Sequence, residues 1–194
     1  MKIAGLNFTQ LVRQFFNVLT VQPGYWLGKN WSSPVSINLL INLACNSKCQ
    51  TCDSWKMKEG PEILTLSDFD VLADQIRRLG IPLVTLGGGE PTIRQDFLDI
   101  IRTLKKRGLT VQMTTNALNL SEKKRKAIYD SGLDRITFSY DSHLPEVYEA
   151  IRGVNGVSQV TENLIRLLEE KPSHLEVDTN SVLCSQNAET FCKP

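Results

Sequence analysis

The sequence has no run of about twenty apolar residues, so no membrane-spanning helix is expected. Its N-terminus has neither a continuous apolar core nor a small-residue cleavage site, which argues against a signal peptide. Net charge is almost absent: 22 Lys and Arg against 21 Asp and Glu leave +1. No strong attraction to nucleic acid or to an anionic membrane follows. Histidine is scarce. His143 and His174 fall at loop or strand-start positions and read as surface groups, so no general acid or base can be named. The five cysteines are odd in number and three are clustered, which argues against a disulfide framework and fits a reducing cytoplasm. No segment is low in complexity, and no repeat beyond a strand–helix period is evident. What remains is ordinary: 194 residues, 41% apolar and 22% charged, enough for one soluble domain with a sizeable core.

Against this background one stretch stands out. Cys45, Cys49 and Cys52 lie in CNSKCQTC, directly after an apolar strand at 37–44. Three thiolates this close suit zinc or an iron–sulfur cluster. Three is one too few for a closed four-sulfur site, so a cubane cluster here would keep one iron open for chemistry. Cys184 and Cys192 read as ordinary thiols; in the alternative, Cys184 closes a four-Cys site. Trp55 either shields the metal or packs.

The rest of the chain alternates strand and helix patterns. Residues 1–33 form an N-terminal leader, in which Phe8, Leu11, Val12, Phe15, Phe16 and Leu19 fall at helical spacing. This amphipathic helix is expected to pack on the domain, since only Lys2 and Arg13 supply charge for the alternative, a membrane surface or partner. Pro23-Gly24 and Ser32-Ser33-Pro34 are expected to end the leader. In the core, residues 34–194, Ser67 is expected to cap a helix, with Asp70 as its acidic partner and Gly80 as its stop. Strands are expected at 82–86, 109–114, 134–140 and 175–183, with helices between them. The run Lys123-Lys124-Arg125-Lys126 is expected to be a solvated helix face. This rhythm predicts a parallel sheet with crossover helices, and its functional loops at the C-terminal ends of the strands. Cys45, Gly88 to Glu90, Asn116 and Asp141 all fall at such ends, which places them at one site.

The cysteine triple and Gly87-Gly88-Gly89-Glu90-Pro91, in this order, resemble the radical S-adenosylmethionine (SAM) enzymes, most nearly the branch of molybdenum-cofactor cyclases and peptide-modifying enzymes. Thr114-Thr115-Asn116-Ala117, Thr137-Phe138-Ser139-Tyr140-Asp141 and Ile151-Arg152-Gly153 extend the resemblance over about residues 35–185. Two departures are Thr51, where an aromatic residue is frequent, and Ala117, where glycine is usual. The resemblance implies an open, partial (β/α) TIM-type barrel. It implies a 4Fe–4S cluster on Cys45, Cys49 and Cys52, with SAM on the fourth iron. Gly88, Gly89 and Glu90 would lie beside the SAM amino group. Asn116, Ser139, Asp141, Arg152 and Asn180 would border its ribose or carboxylate or the rim of the site. A reductant such as flavodoxin or ferredoxin is implied as well. The family core has six βα units and five strands are visible, so a truncated form is expected, with strand five as an uncovered edge. The competing readings are a non-enzymatic metal protein and a partner-binding remnant without a cofactor.

Overall fold

The computed structural model describes residues 8–29, 31–57 and 64–191; Cys192 lies outside them. Its elements run α1 (Phe8–Trp26), β1 (Ser36–Asn42), α2 (Leu66–Leu79), β2 (Leu83–Gly88), α3 (Phe97–Lys106), β3 (Thr110–Thr115), α4 (Glu122–Tyr129), β4 (Arg135–Ser139), α5 (Pro145–Arg152), α6 (Val157–Glu170) and β5 (Glu176–Asn180). The strands pair in parallel in the order β1-β2-β3-β4-β5, forming an open sheet. Parallel neighbours require crossovers, and helices supply them. β1 and β5 are the two edges among the described residues, as expected for strand five.

Strand residues alternate between faces, and the alternation divides this sheet by polarity. Val84 and Leu86 on β2, Val111 and Met113 on β3, and Ile136 and Phe138 on β4 are buried beneath the helices, where Phe69, Ile76, Ile100, Ile101 and Leu104 meet them. The register aligns Val84 with Val111, and Met113 with Ile136. Thr85, Gln112, Thr114, Thr137 and Ser139 occupy the other face, where Gln112 donates to Thr85 Oγ1 at 2.6 Å. Arg135 on β4 pairs there with Glu176 and Asp178 of β5.

Several local expectations change. α2 is capped two residues earlier than expected. Thr65 Oγ1 accepts from the Asp68 N–H at 3.3 Å, and Asp68 Oδ2 accepts from the Thr65 N–H at 2.8 Å. Thr65–Asp68 and Ser67–Asp70 share one pattern, and Asp70 instead pairs with Arg107, just after α3, at 2.8 Å. α1 continues through Pro23 to Trp26 and stops one turn later, at Gly28 with φ 61°. Proline costs most in a helix interior, and here it opens the last turn, where its carbonyl still accepts from Leu27. The expected packing of α1 is not what the structure shows. Phe15 and Phe16 are 62% and 59% exposed, and Phe8, Val12 and Leu19 are exposed with them. The basic run of α4 is only partly a solvated face: Arg125 is buried on Leu120 O and Asn163 Oδ1, and Lys124 donates to Thr92 O. Among the described residues no helix is long and apolar enough to cross a membrane.

The end of β1 is held by the turn after β2. The Gly89 N–H donates to Asn42 O at 3.0 Å and the Glu90 N–H to Ala44 O at 2.7 Å. Asn42 donates its side-chain amide to Glu90 O at 3.1 Å. The two segments approach so closely that a Cβ on Gly88 would sit 2.1 Å from Asn42 O, and one on Gly89 2.1 Å from Ala44 O. Glycine is required there because its missing Cβ is the space the neighbouring backbone fills. Gly89→Ala should therefore destabilise the fold by about 1–3 kcal/mol, read from the urea midpoint at unchanged slope. Thr65→Ala removes the α2 cap far from this turn and should lower the thermal midpoint by only about 2–4 °C.

Candidate active site

One cleft opens at the C-terminal ends of β1 to β4. Its walls carry Cys45, Cys49 and Cys52, the glycine turn from Gly87 to Glu90, and Asn116, Ser139 and Arg152. Trp55 and Thr51 line one side. The sequence thus placed nine residues that meet here: Cys45, Cys49, Cys52, Gly88, Gly89, Glu90, Asn116, Ser139 and Arg152. Asp141 and Asn180 do not line the cleft. Asn180 pairs with Ser139 in register but is exposed at the edge strand. Asp141 is buried beneath the wall, on Arg152. Cys184 is half-buried in the turns after β5 and does not line the cleft either. His143 and His174 are exposed, as expected.

The cysteine loop has little regular structure of its own, and its shape is imposed from three sides. The glycine turn holds its entrance, as described. From β3, Asn116 Nδ2 donates to Asn46 Oδ1 at 2.7 Å and to Ser47 Oγ at 3.0 Å. From the C-terminus of α5, Arg152 O and Ile151 O accept the Lys48 and Gln50 N–H groups at 3.1 and 2.9 Å. Helix-end carbonyls lack intrahelical donors, so this end offers free acceptors. α5 stops at Gly153, whose φ is 63° and whose Cβ, if present, would lie 2.4 Å from Lys48 O. The Ile-Arg-Gly triplet is thus a seat for the loop.

Glu90 is the hub beneath the cleft. Its Oε1 accepts from the Thr92 N–H, Thr92 Oγ1 and Thr115 Oγ1 at 3.1, 2.6 and 2.6 Å, and Oε2 from the Asn116 N–H at 2.7 Å. A carboxylate only 1% exposed needs such donors. They tie the end of β2 to the end of β3. Ala117 keeps the left-handed turn that glycine would make, at φ 60°. Sequence reasoning missed Arg94, which joins the entry of the loop to α2. It pairs with Asp96 at 2.6 Å, donates to Ile41 O and Leu64 O at 2.6 Å, and lies over the Phe69 ring. An arginine after a turn carries no pattern that would have announced this role.

Each thiol has a donor directed at it. Cys45 Sγ accepts from the Ser47 N–H at 3.5 Å, Cys52 Sγ from the Ser54 N–H at 3.4 Å, and Cys49 Sγ from Arg152 Nη1 at 3.9 Å. The Trp55 indole N–H donates to Cys49 O at 3.3 Å. Burial pushes the Cys45 thiol up, the Ser47 N–H pulls it down, and the Glu90 carboxylate adds to the rise. The Tyr148 hydroxyl is buried without a hydrogen-bond partner among the described residues. Burial pushes its pKa up to about 12, with Arg152 opposing and Cys49 adding to the rise. It therefore stays a neutral donor. Among the described residues, no three His, Cys, Asp or Glu side chains gather tightly enough for one metal ion.

Comparison with known proteins gives relatives in sequence and in fold. A probable GTP 3',8-cyclase of Thermococcus kodakarensis is 39% identical over 134 residues, covering 66% of this chain and 42% of that protein. The GTP 3',8-cyclase of Shewanella denitrificans is 35% identical over 151 residues, covering 76% of this chain and 44% of that protein. The chain thus spans less than half the length of these relatives. Among solved structures, Streptococcus suis SuiB bound to S-adenosylmethionine superposes with a TM-score of 0.72 at 18% identity, over 90% of this chain and 39% of that one. The structure of anSMEcpe with bound AdoMet gives 0.63 at 16% identity, over 81% and 46%. Residues 39–191 match the profile of the radical SAM superfamily, and the chain belongs to that family.

Proposed function

We propose that Cys45, Cys49 and Cys52 hold a 4Fe–4S cluster, and that Gly88, Gly89, Glu90, Asn116, Ser139 and Arg152 border a SAM molecule beside it. When bound, the pair supplies reductive cleavage of SAM to methionine and a 5′-deoxyadenosyl radical, which takes a hydrogen atom from a substrate. The observation that carries this reading is a single cleft in which three thiols, each with its own donor, face the backbone of the glycine turn. The alternative of a closed four-Cys site loses support because Cys184 lies outside the cleft.

The chain's own residues have separable tasks in this reading. The cysteine loop presents the thiolates, and its three braces keep them from collapsing on one another. The N–H groups of Gly89 and Glu90 are spent on Asn42 and Ala44. Glu90 O is likewise taken, by the Asn42 amide and the Ile93 N–H, so in this reading the glycine carbonyls are what would meet an ammonium group. Glu90 keeps the turn and Asn116 in fixed relation, since every donor around its carboxylate belongs to the protein wall. Trp55 and Thr51 line the loop side of the cleft and are themselves exposed. A reductant of the flavodoxin or ferredoxin kind supplies the electron.

Anaerobic reconstitution should give about four irons per chain, as a 4Fe–4S cluster requires, and adding SAM should change the electron paramagnetic resonance spectrum of the reduced protein. Serine at Cys45, Cys49 or Cys52 should abolish that spectrum, while Cys184→Ser should leave iron and spectrum intact. Zinc in place of iron, or a cluster indifferent to SAM and lost in Cys184→Ser, would overturn the proposal.

A further inference from the structure

Cys45 and Cys52 receive their N–H groups from their own loop, two residues along the chain. Cys49 is different. Its sulfur is approached at 3.9 Å by the guanidinium of Arg152, 103 residues away. Arg152 is not free to choose that position. Its Nε lies 2.6 Å from Asp141 Oδ2, and the two side chains are 12% and 1% exposed. Asp141 is fixed in turn: Oδ1 accepts from the Val182 N–H at 2.7 Å, and its own carbonyl accepts from Asn187 Nδ2 at 2.9 Å. Gln186 Nε2, from the same turns, donates to Gln50 Oε1 inside the cysteine loop at 2.8 Å. The segment after β5 therefore closes over the pair and touches the loop the pair serves.

We propose that Asp141 and Arg152 are a positioning pair that directs a cationic N–H at the sulfur of Cys49 and so raises the reduction potential of the bound cluster. The inference rests on the cluster reading above. The physical basis is that hydrogen bonds to cluster sulfur, and positive charge beside it, stabilise the reduced and more negative state. A buried carboxylate 2.6 Å from Nε, paired by charge with no hydrogen bond between Nε and Oδ2, draws the guanidinium to that place and limits how much charge the sulfur sees. Arginine is needed because a planar fork can meet Asp141 with one edge and Cys49 with another; a lysine ammonium at the end of a flexible stem cannot hold both. Asp141, placed at the rim of the site by the sequence, acts through Arg152 and has no contact of its own with the cleft.

The test uses reconstituted protein and a redox titration followed by electron paramagnetic resonance. Arg152→Met should lower the equilibrium constant for cluster reduction about tenfold, equivalent to ~59 mV for a one-electron couple, with iron content unchanged. Arg152→Lys should restore only part of that loss. Asp141→Asn should shift the potential in the wild-type background and leave it unmoved in Arg152→Met. In parallel, urea unfolding of the apoprotein should show the two substitutions to be non-additive, a readout independent of the cluster. A loaded cluster whose potential ignores Arg152→Met overturns this inference and leaves the functional reading standing. Additive apoprotein stabilities, with an Asp141→Asn shift that persists in Arg152→Met, overturn the pairing. A wild-type protein that loads no cluster overturns the functional reading and this inference with it.

Discussion

Backbone contact between the start of the cysteine loop and the glycine turn is the constraint on which the site depends. Asn42 O and Ala44 O accept from the N–H groups of Gly89 and Glu90, and lie so near Gly88 and Gly89 that neither could carry a side chain. That contact extends the β1–β2 pairing beyond its last regular residues. It converts the edge of a sheet into the floor of a cleft. The loop that follows has no ladder to join and would be free to collapse its thiols together. Two further braces prevent this: the Asn116 amide from β3 and the carbonyls at the end of α5. Three elements distant in sequence thus impose one loop geometry, and each does so with polar groups left over at the end of a strand or helix.

Two buried carboxylates carry out different work in this frame. Glu90 is surrounded by neutral donors and serves as a knot between β2 and β3. Asp141 faces a guanidinium and holds it against a sulfur. Both are almost fully buried, so both must be compensated, and the kind of compensation decides the role. Neutral hydrogen bonds make a fixed structural joint. A cation leaves part of its charge for a third group.

The polarity of the sheet explains why the chemistry collects on one side. The helix-covered face is almost wholly aliphatic and aromatic, while Thr85, Gln112, Thr114, Thr137 and Ser139 line the other. α1 does not share in this order: Phe8, Val12, Phe15, Phe16 and Leu19 remain exposed beside a well-packed core.

Much of this was written in local pattern. The period of apolar residues placed β2 to β5 and α2, α3 and α6 to within a few residues, because burial on one face imposes that period whatever the partner; the Ser121 cap marked α4. The strand-end motifs were legible for the same reason: parallel strands deliver their C-terminal ends to one edge of the sheet. What local pattern could not decide was which of two equivalent signals the fold would use. Thr65–Asp68 and Ser67–Asp70 are the same cap in sequence, and only the docking of Phe69 and its neighbours fixed the phase. Arg125 belongs to a basic run and was nonetheless drawn inside, because Asn163 on α6 and a loop carbonyl waited there. Arg152 and Asp141 are 11 positions apart and carry no sign of their pairing. By itself the sequence determined a parallel α/β sheet, a three-thiol loop and a glycine turn at its rim. Tertiary structure alone decided which charges are buried, which carbonyls seat the loop and which guanidinium reaches Cys49, because hydrogen bonds and ion pairs are satisfied in space and leave no period along the chain.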